Sequence, residues 1–203
     1  MAPGVTAGAA GGEHTRIPVW GCVLIGGAST RMGRPKQLLR RDGVTWLELI
    51  VSQLASQVEQ LVLAGRGEVP PALAHLPVLE DVPGLQGPLA GVLAAFRFQP
   101  AVSWLVAACD QPYLERAALA WLLHCRAPGV LAVLPDLRGD GRLEPLLAYY
   151  DWHCRELLEE LAGSGQRRLS GLAGRAGVIT PQPPAHLRAS WRNINRPEDF
   201  SNQ

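Results

Sequence analysis

Lysine is almost absent from this chain: Lys36 is the single one, and arginine supplies every other basic side chain of the 19. Where bare positive charge suffices, arginine serves. A lone lysine is therefore a candidate for a place where a compact ammonium is wanted and not a planar fork. Cysteine is sparse too. Cys22, Cys109, Cys125 and Cys154 are far apart and form no CxxC pair, which argues against a zinc site or a disulfide framework and for buried free thiols. The histidines, His14, His75, His124, His153 and His186, show no metal-ligand spacing. Nor is there an excess of charge: 19 basic against 18 acidic residues leave +1, no footprint for a nucleic-acid polymer or an anionic membrane. No run approaches the ~18 apolar residues that span a bilayer. The first 16 residues lack the apolar stretch of a secretory signal. A cytoplasmic protein without nucleic-acid or membrane partners is expected.

What the chain does have is enough apolar material for a core, with 47% of its 203 residues hydrophobic and 18% charged. Residues 1–16 read as a flexible extension and 17–203 as one domain. Within that domain apolar runs alternate with helical patterns. Strands are expected from Val19 to Ile25, at 61–64, from Pro77 to Leu79, at 102–108 and at 130–134, with strand-like segments at 143–149 and near 189–193. Helices are expected from Trp46 to Val58, at 89–98, at 115–125 and at 152–162. Strands apolar on both faces that alternate with helices make a mostly parallel sheet covered on each side, a three-layer α/β/α Rossmann-like sandwich. Ligands in such sheets sit beyond the carboxyl ends of the strands.

Two strand ends carry chemistry. The first reads Leu24-Ile25-Gly26-Gly27-Ala28-Ser29-Thr30-Arg31-Met32-Gly33-Arg34-Pro35-Lys36. Paired glycines let backbone amides approach a ligand closely, and Arg31, Arg34 and Lys36 add positive charge with no acid between them. The combination suits a triphosphate, although taken alone it also suits a solvated basic loop. It is neither a Walker loop, because Arg34 and Pro35 follow Gly33, nor a G-x-G-x-x-G fingerprint, because Gly26 and Gly27 are adjacent. The second strand end is Asp110, in Cys109-Asp110-Gln111-Pro112. A carboxylate at the sheet's carboxyl edge calls for a partner. Magnesium, which takes one or two carboxylates and fills its shell with water and phosphate oxygens, meets that need. So does a helix cap.

Together these residues resemble a known family. Leu-x-Gly-Gly-x-Ser-x-Arg-Met-Gly-x-Pro-Lys from Leu24 to Lys36 is similar to the signature of the molybdenum cofactor nucleotidyltransferases, themselves part of a nucleotide-sugar-pyrophosphorylase-like group. Asp81 followed by Gly84, Gly87-Pro88-Leu89-Ala90-Gly91, Cys109-Asp110-Gln111-Pro112-Tyr113, and Asn193-Ile194-Asn195-Arg196-Pro197-Glu198-Asp199 match further segments in the same order. The guanylyltransferase branch is the nearest. Cytidylyltransferases usually carry Ala-Ala-Gly in place of Ile25-Gly26-Gly27 and tend to lack Gly-Pro-Leu-Ala-Gly.

The resemblance implies a nucleotide-diphospho-sugar transferase type of fold and a nucleotidyltransferase that moves GMP from GTP to the terminal phosphate of molybdenum-bound molybdopterin. It places Leu24, Ile25, Gly26, Gly27, Lys36 and Asp81 on the nucleotide, Mg²⁺ on Asp110, and Asn193 and Asn195 near the reacting phosphates and pterin. Arg31, Lys36 and Asp110 are the expected catalytic groups, and Arg167 and Arg168 candidates for the acceptor's phosphate. A recipient molybdoenzyme or its chaperone is expected only as a transient contact. Two positions depart from the pattern. Leu63-Ala64-Gly65-Arg66 stands where guanylyltransferases commonly have an Asn-rich strand end, so a nucleotide contact is lost or supplied elsewhere. Glu144-Pro145 stands where His-Pro is frequent, on the acceptor side. The competing readings are a CTP-using molybdopterin cytidylyltransferase, a sugar-1-phosphate nucleotidyltransferase, and a non-catalytic nucleotide or molybdopterin carrier.

Overall fold

β1 (Val19–Leu24) lies inside a seven-stranded sheet, with β4 (Leu61–Ala64) and β6 (Ser103–Ala108) paired parallel on its two sides. The computed structural model of the protein describes residues 17–26 and 35–195. With β5 (Val78–Leu79), β7 (Ala132–Val133), β8 (Ala148–Tyr150) and β9 (Val178–Ile179), the sheet order is β5-β4-β1-β6-β8-β7-β9. Only β8 runs against its neighbours, antiparallel to both β6 and β7. The sandwich is therefore mostly parallel, as the apolar strand runs lead one to expect.

Alternation along the strands sorts the core into two halves. Cys22 and Leu24 of β1, Val62 and Ala64 of β4, and Trp104 and Val106 of β6 pack with α2 (Pro88–Phe98) and α4 (Cys154–Gly163). Val19, Val23, Leu61, Leu63, Leu105 and Ala107 face the opposite way, toward α1 (Trp46–Ala55) and α3 (Arg116–His124). Each fully buried Leu or Val contributes about 1.5–3 kcal/mol of transfer free energy. Strands covered on both faces therefore hold although most are short.

α1 begins where its sequence says it should. Thr45 Oγ1 accepts from the Glu48 amide at 3.2 Å and Glu48 Oε2 accepts from the Thr45 amide at 2.8 Å, a reciprocal capping box. Leu47, Ile50, Val51 and Leu54 then form one buried face. Helix spacing ends at Ala55, before Val58.

Two expectations are corrected, and one element is added. The strand-like stretch 143–149 reaches the ladder only at β8; before it Leu143 makes an isolated bridge to Asp136, and Leu147 has φ 106°, which takes the chain out of register. The segment near 189–193 is not a strand but the end of a 3-10 helix, Ala185–Trp191, because Leu187 and Trp191 fall on one face and bury against the α3 layer. Lastly, a small hairpin of β2 (Arg40–Arg41) and β3 (Val44–Thr45), turned by Asp42 and Gly43, stands between the glycine loop and α1. Among the described residues no helix is long and apolar enough to cross a membrane.

Candidate active site

From β1 the chain moves to β4 and β5 on one side, then returns through α2 to β6 on the other. The reversal of direction lies between β1 and β6, and the crevice outside the carboxyl ends of such a pair is where α/β sheets bind ligands. A cavity of about 350 Å³ opens there. Leu24, Ile25 and Gly26 line it from the end of β1, Ala108, Cys109 and Asp110 from the end of β6, and Asp81 from beyond β5.

Lys36 enters from a 3-10 turn, Lys36–Leu38. Its Nζ donates to Asp110 Oδ2 at 3.1 Å and to Asn195 Oδ1 at 2.6 Å. Three of the segments singled out in the sequence thus meet at one ammonium. Ile194 N donates to the Asp110 carbonyl at 2.9 Å, which fixes the Asn193-Ile194-Asn195 strip against the end of β6. Asn193 itself is exposed. The strip is held from behind: Trp191 Nε1 donates to the Leu147 carbonyl at 2.8 Å, and Ser190 Oγ accepts from the Glu115 amide at 3.2 Å.

The Gly-Pro-Leu-Ala-Gly segment is the start of α2. Gly87, at φ 74°, caps the helix and Pro88 opens it, both on the cavity wall. The helix therefore turns its positive end toward the cavity, a favourable place for an anion. Four residues on, Gly91 lets α2 lie close to the sheet: a Cβ there would stand 2.8 Å from Leu24 Cδ2 and 3.3 Å from Asp81 Oδ1.

Gln111 was quoted in the motif without a role. It is fully buried, its Oε1 accepting from the Ala108 amide at 3.1 Å and its Nε2 donating to the Leu146 carbonyl at 2.6 Å. The carboxamide thus stands in for the ladder where β6 and the segment before β8 part, and it holds the Asp110 loop in place. Glu144 lies in the same segment before β8. It is half-buried and close enough to Asp110 to feel that residue's charge. Burial, and then the Asp110 charge, push the Glu144 carboxyl above its ordinary value. Burial does the same to the Cys109 thiol, pushed up to about 12 with help from Asp110. That thiol stays protonated at neutral pH and is no nucleophile.

Other expected residues are less central. Gly27 and Arg31 lie outside the described residues. Arg167 is exposed at the cavity's rim, its Nη1 donating to Gln86 Oε1 at 3.1 Å just before the α2 cap. Arg168 is exposed, and neither arginine lines the cavity.

As to a metal, Asp110 Oδ2 and Asn195 Oδ1 are hard oxygen donors from two elements beside an open cavity. Among the described residues no three His, Cys, Asp or Glu side chains converge as a metal site. One or two oxygen ligands beside space for water and phosphate fit Mg²⁺ better than a caged ion.

The chain is similar to known proteins over most of its length. The profile of a family described as MobA-like NTP transferase domain matches residues 21–177. A probable molybdenum cofactor guanylyltransferase of Halalkalibacterium halodurans is 30% identical over 194 residues, covering 89% of this chain and 95% of the relative. One from Bacillus anthracis is 29% identical over 187 residues, covering 89% and 92%. Among solved structures, a molybdopterin-guanine dinucleotide biosynthesis protein A from Archaeoglobus fulgidus superposes with a TM-score of 0.73 at 27% identity, over 90% of this chain and 95% of that one.

Proposed function

The chain belongs to the family of MobA-like NTP transferase domains and is a nucleotidyltransferase; on that premise we propose that it transfers GMP from GTP to the terminal phosphate of molybdenum-bound molybdopterin. A phosphate oxygen of the acceptor attacks the α-phosphorus of GTP. The bond from that phosphorus to the β-phosphate oxygen breaks, and pyrophosphate leaves with the electron pair. The observation that carries this reading is the meeting of Lys36 and Asp110 at 3.1 Å, on the wall of a cavity that Asp81 and the α2 N-terminus also line.

An acceptor phosphate is already an anion near neutral pH, so the protein need not supply a nucleophile. Its task is to bring two anions together and to stabilise charge on the departing pyrophosphate. The Lys36 ammonium and the positive end of α2 supply fixed positive charge for the triphosphate tail. Asp110 is the residue to hold Mg²⁺, with Asn195 beside it; the ion's chemistry there is neutralisation of phosphate charge. Leu24, Ile25 and Gly26 form the floor under the nucleotide, Asp81 takes its ribose side, and Arg31 adds charge at the tail. Asn193, Arg167 and Arg168 are assigned to the acceptor. The dinucleotide product passes to a molybdoenzyme or its chaperone by transient contact.

The test is direct. Protein, GTP, Mg²⁺ and molybdenum-loaded molybdopterin are incubated together, and the guanine dinucleotide and pyrophosphate are assayed. Both should form in equal amounts. Formation with CTP alone would make this a cytidylyltransferase, and binding without pyrophosphate release would make it a carrier.

A further inference from the structure

Lys36 and Gln37 are neighbours in one turn, yet their side chains part. Lys36 reaches toward the end of β6, where Asp110 lies. Gln37 turns the other way, to the loop after β4. A Cβ on Gly67 in that loop would stand 2.9 Å from Gln37 Nε2 and would strike the Ile25 carbonyl. Since β4 and β6 flank β1, and neighbouring strands are about 4.8 Å apart, the two loops are separated by about 10 Å. That is the scale of a nucleotide, not of a single phosphate.

Gln37 is also an oddity in the core. It is only 5% exposed, it lines the cavity, and among the described residues nothing hydrogen-bonds its carboxamide. Its amide atoms are not shut away in the core; they reach the cavity, where a ligand can pair with them. Here the amide borders a space sized for a ligand, walled by the bare backbone of Gly26 and by Ala64.

We propose that Gln37 is a specificity-determining residue that reads the base of the bound nucleotide. The proposal rests on the reading of the cavity as a GTP site. With the triphosphate at Lys36 and Asp110, and Asp81 on the β5 side, the base lies toward β4, where Gln37 waits. A carboxamide offers one donor and one acceptor side by side. Guanine offers their complement: Nε2 donates to O6 while Oε1 accepts from N1–H. This supplies, from the glycine loop's far end, the contact that Leu63-Ala64-Gly65-Arg66 lacks. Gly67 keeps the carboxamide's place clear, because any side chain there would push it away.

The experiment compares the wild-type protein with Gln37→Met, which keeps the volume and removes both polar atoms. Equilibrium binding of GTP, CTP, ATP and inorganic tripolyphosphate is measured for each, with the thermal midpoint as a control for folding. In Gln37→Met, GTP affinity should fall about tenfold, the loss of roughly one good hydrogen-bonding pair. Tripolyphosphate affinity should stay unchanged, and the GTP:CTP ratio should fall by the same factor. Equal GTP affinity and an equal GTP:CTP ratio in wild type and Gln37→Met would overturn the proposal while leaving the GTP site standing. An equal loss for every triphosphate, tripolyphosphate included, would overturn it too, by showing a merely structural role. If the wild-type protein prefers CTP and Gln37→Met abolishes that preference, base reading holds and the guanine reading fails. If the wild-type protein binds no nucleoside triphosphate, both fall.

Discussion

Lys36 Nζ and Asp110 Oδ2 stand 3.1 Å apart, joining positions separated by 74 residues of chain. Their side chains are 16% and 22% exposed, so the pair belongs to a wall that solvent and ligand reach. Ion pairs of that kind add little to stability, about 0–1 kcal/mol. What they add is a positive and a negative group side by side at one end of a cavity, the pair to which the proposed function gives the triphosphate and its metal.

Lys36→Ala and Asp110→Ala should therefore harm turnover far more than folding. Loss of one positioned charge typically costs about 10²–10³ in rate, or roughly 3–4 kcal/mol. Turnover at saturating GTP and Mg²⁺, measured beside the thermal midpoint, checks this. Near-normal turnover in either variant would remove the residue from the chemistry. A chelator such as EDTA should abolish turnover of the wild-type protein, and added Mg²⁺ should restore it.

Besides Gln111, an aromatic ring holds the loop after Asp110. The Tyr113 ring lies under two guanidinium groups, Arg41 at 5.0 Å and Arg192 at 5.7 Å, and Arg41 Nη1 also donates to the Pro112 carbonyl at 3.4 Å. The ring thus ties the Asp110 loop to the hairpin and to the residue before Asn193. Each exposed cation–π contact is worth about 0.5–1 kcal/mol. Tyr113→Ala should lower kcat several-fold, while Tyr113→Phe, which keeps the ring, should stay close to wild type. Arg41→Ala removes one of the two cations and the long bond to Pro112 but leaves Arg192 on the ring, and it should cost much less than Lys36→Ala. Steady-state kinetics on the three variants decide the order.

Asp136 gives a prediction in pH. Its carboxylate accepts from the amides of Gly139 at 2.7 Å, Gly141 at 2.9 Å and Arg138 at 3.2 Å, which close the loop after β7. These bonds, that from Gly141 foremost, hold the carboxyl below its ordinary value of 3.8. A carboxyl with a lowered folded-state pKa stabilises fully above its unfolded value, and the contribution fades as pH falls through the folded one. Asp136→Asn should be less stable than wild type at pH ~7, and the gap should shrink below pH ~4. Urea unfolding of both proteins across that range measures it. A gap that stays constant down to pH ~2 would show that the amides do not favour the charged form.

How much of this was legible in the residues depended on how far each feature reaches along the chain. β1 and β6 were readable because central parallel strands are apolar on both faces and stop abruptly, at Gly26 and Asp110. Of the two-residue strands, β5 and β7 showed as parts of apolar stretches, whereas the hairpin, with Arg40 and Arg41 in it, and β9 did not. The reversal of β8 was hidden for another reason: a strand's direction leaves no mark in its pattern. Asn195 was legible through its motif, but its bond to Lys36, 159 residues away, exists only once the tail has wrapped over β6. Gln111 lies inside one motif and Gln37 one residue past another, and neither stands out in the sequence, because a glutamine's burial cannot be read from its neighbours. Their signal is three-dimensional, a polar side chain with almost no exposure beside the crevice.

Gly91 is the last point at which packing and function can be separated. In the interior of a helix, Ala is favoured over Gly by about 0.8–1 kcal/mol, so on propensity alone Gly91→Ala should stabilise α2. Against that, the new Cβ would lie 2.8 Å from Leu24 Cδ2 and 3.3 Å from Asp81 Oδ1. Leu24 is 7% exposed, packed in the core and part of the cavity wall, so a shift of its side chain changes that wall. Asp81 must give by a few tenths of an ångström toward the cavity it lines. The two stability effects are opposed and of similar size, so the thermal midpoint should shift little. Both displacements press on the cavity, and if it is the GTP site, GTP affinity should fall several-fold. Calorimetric binding beside a melting curve gives both quantities on one preparation. An unchanged affinity would mean that α2 can back away from the sheet without disturbing Asp81, and that this aspartate is not on the nucleotide.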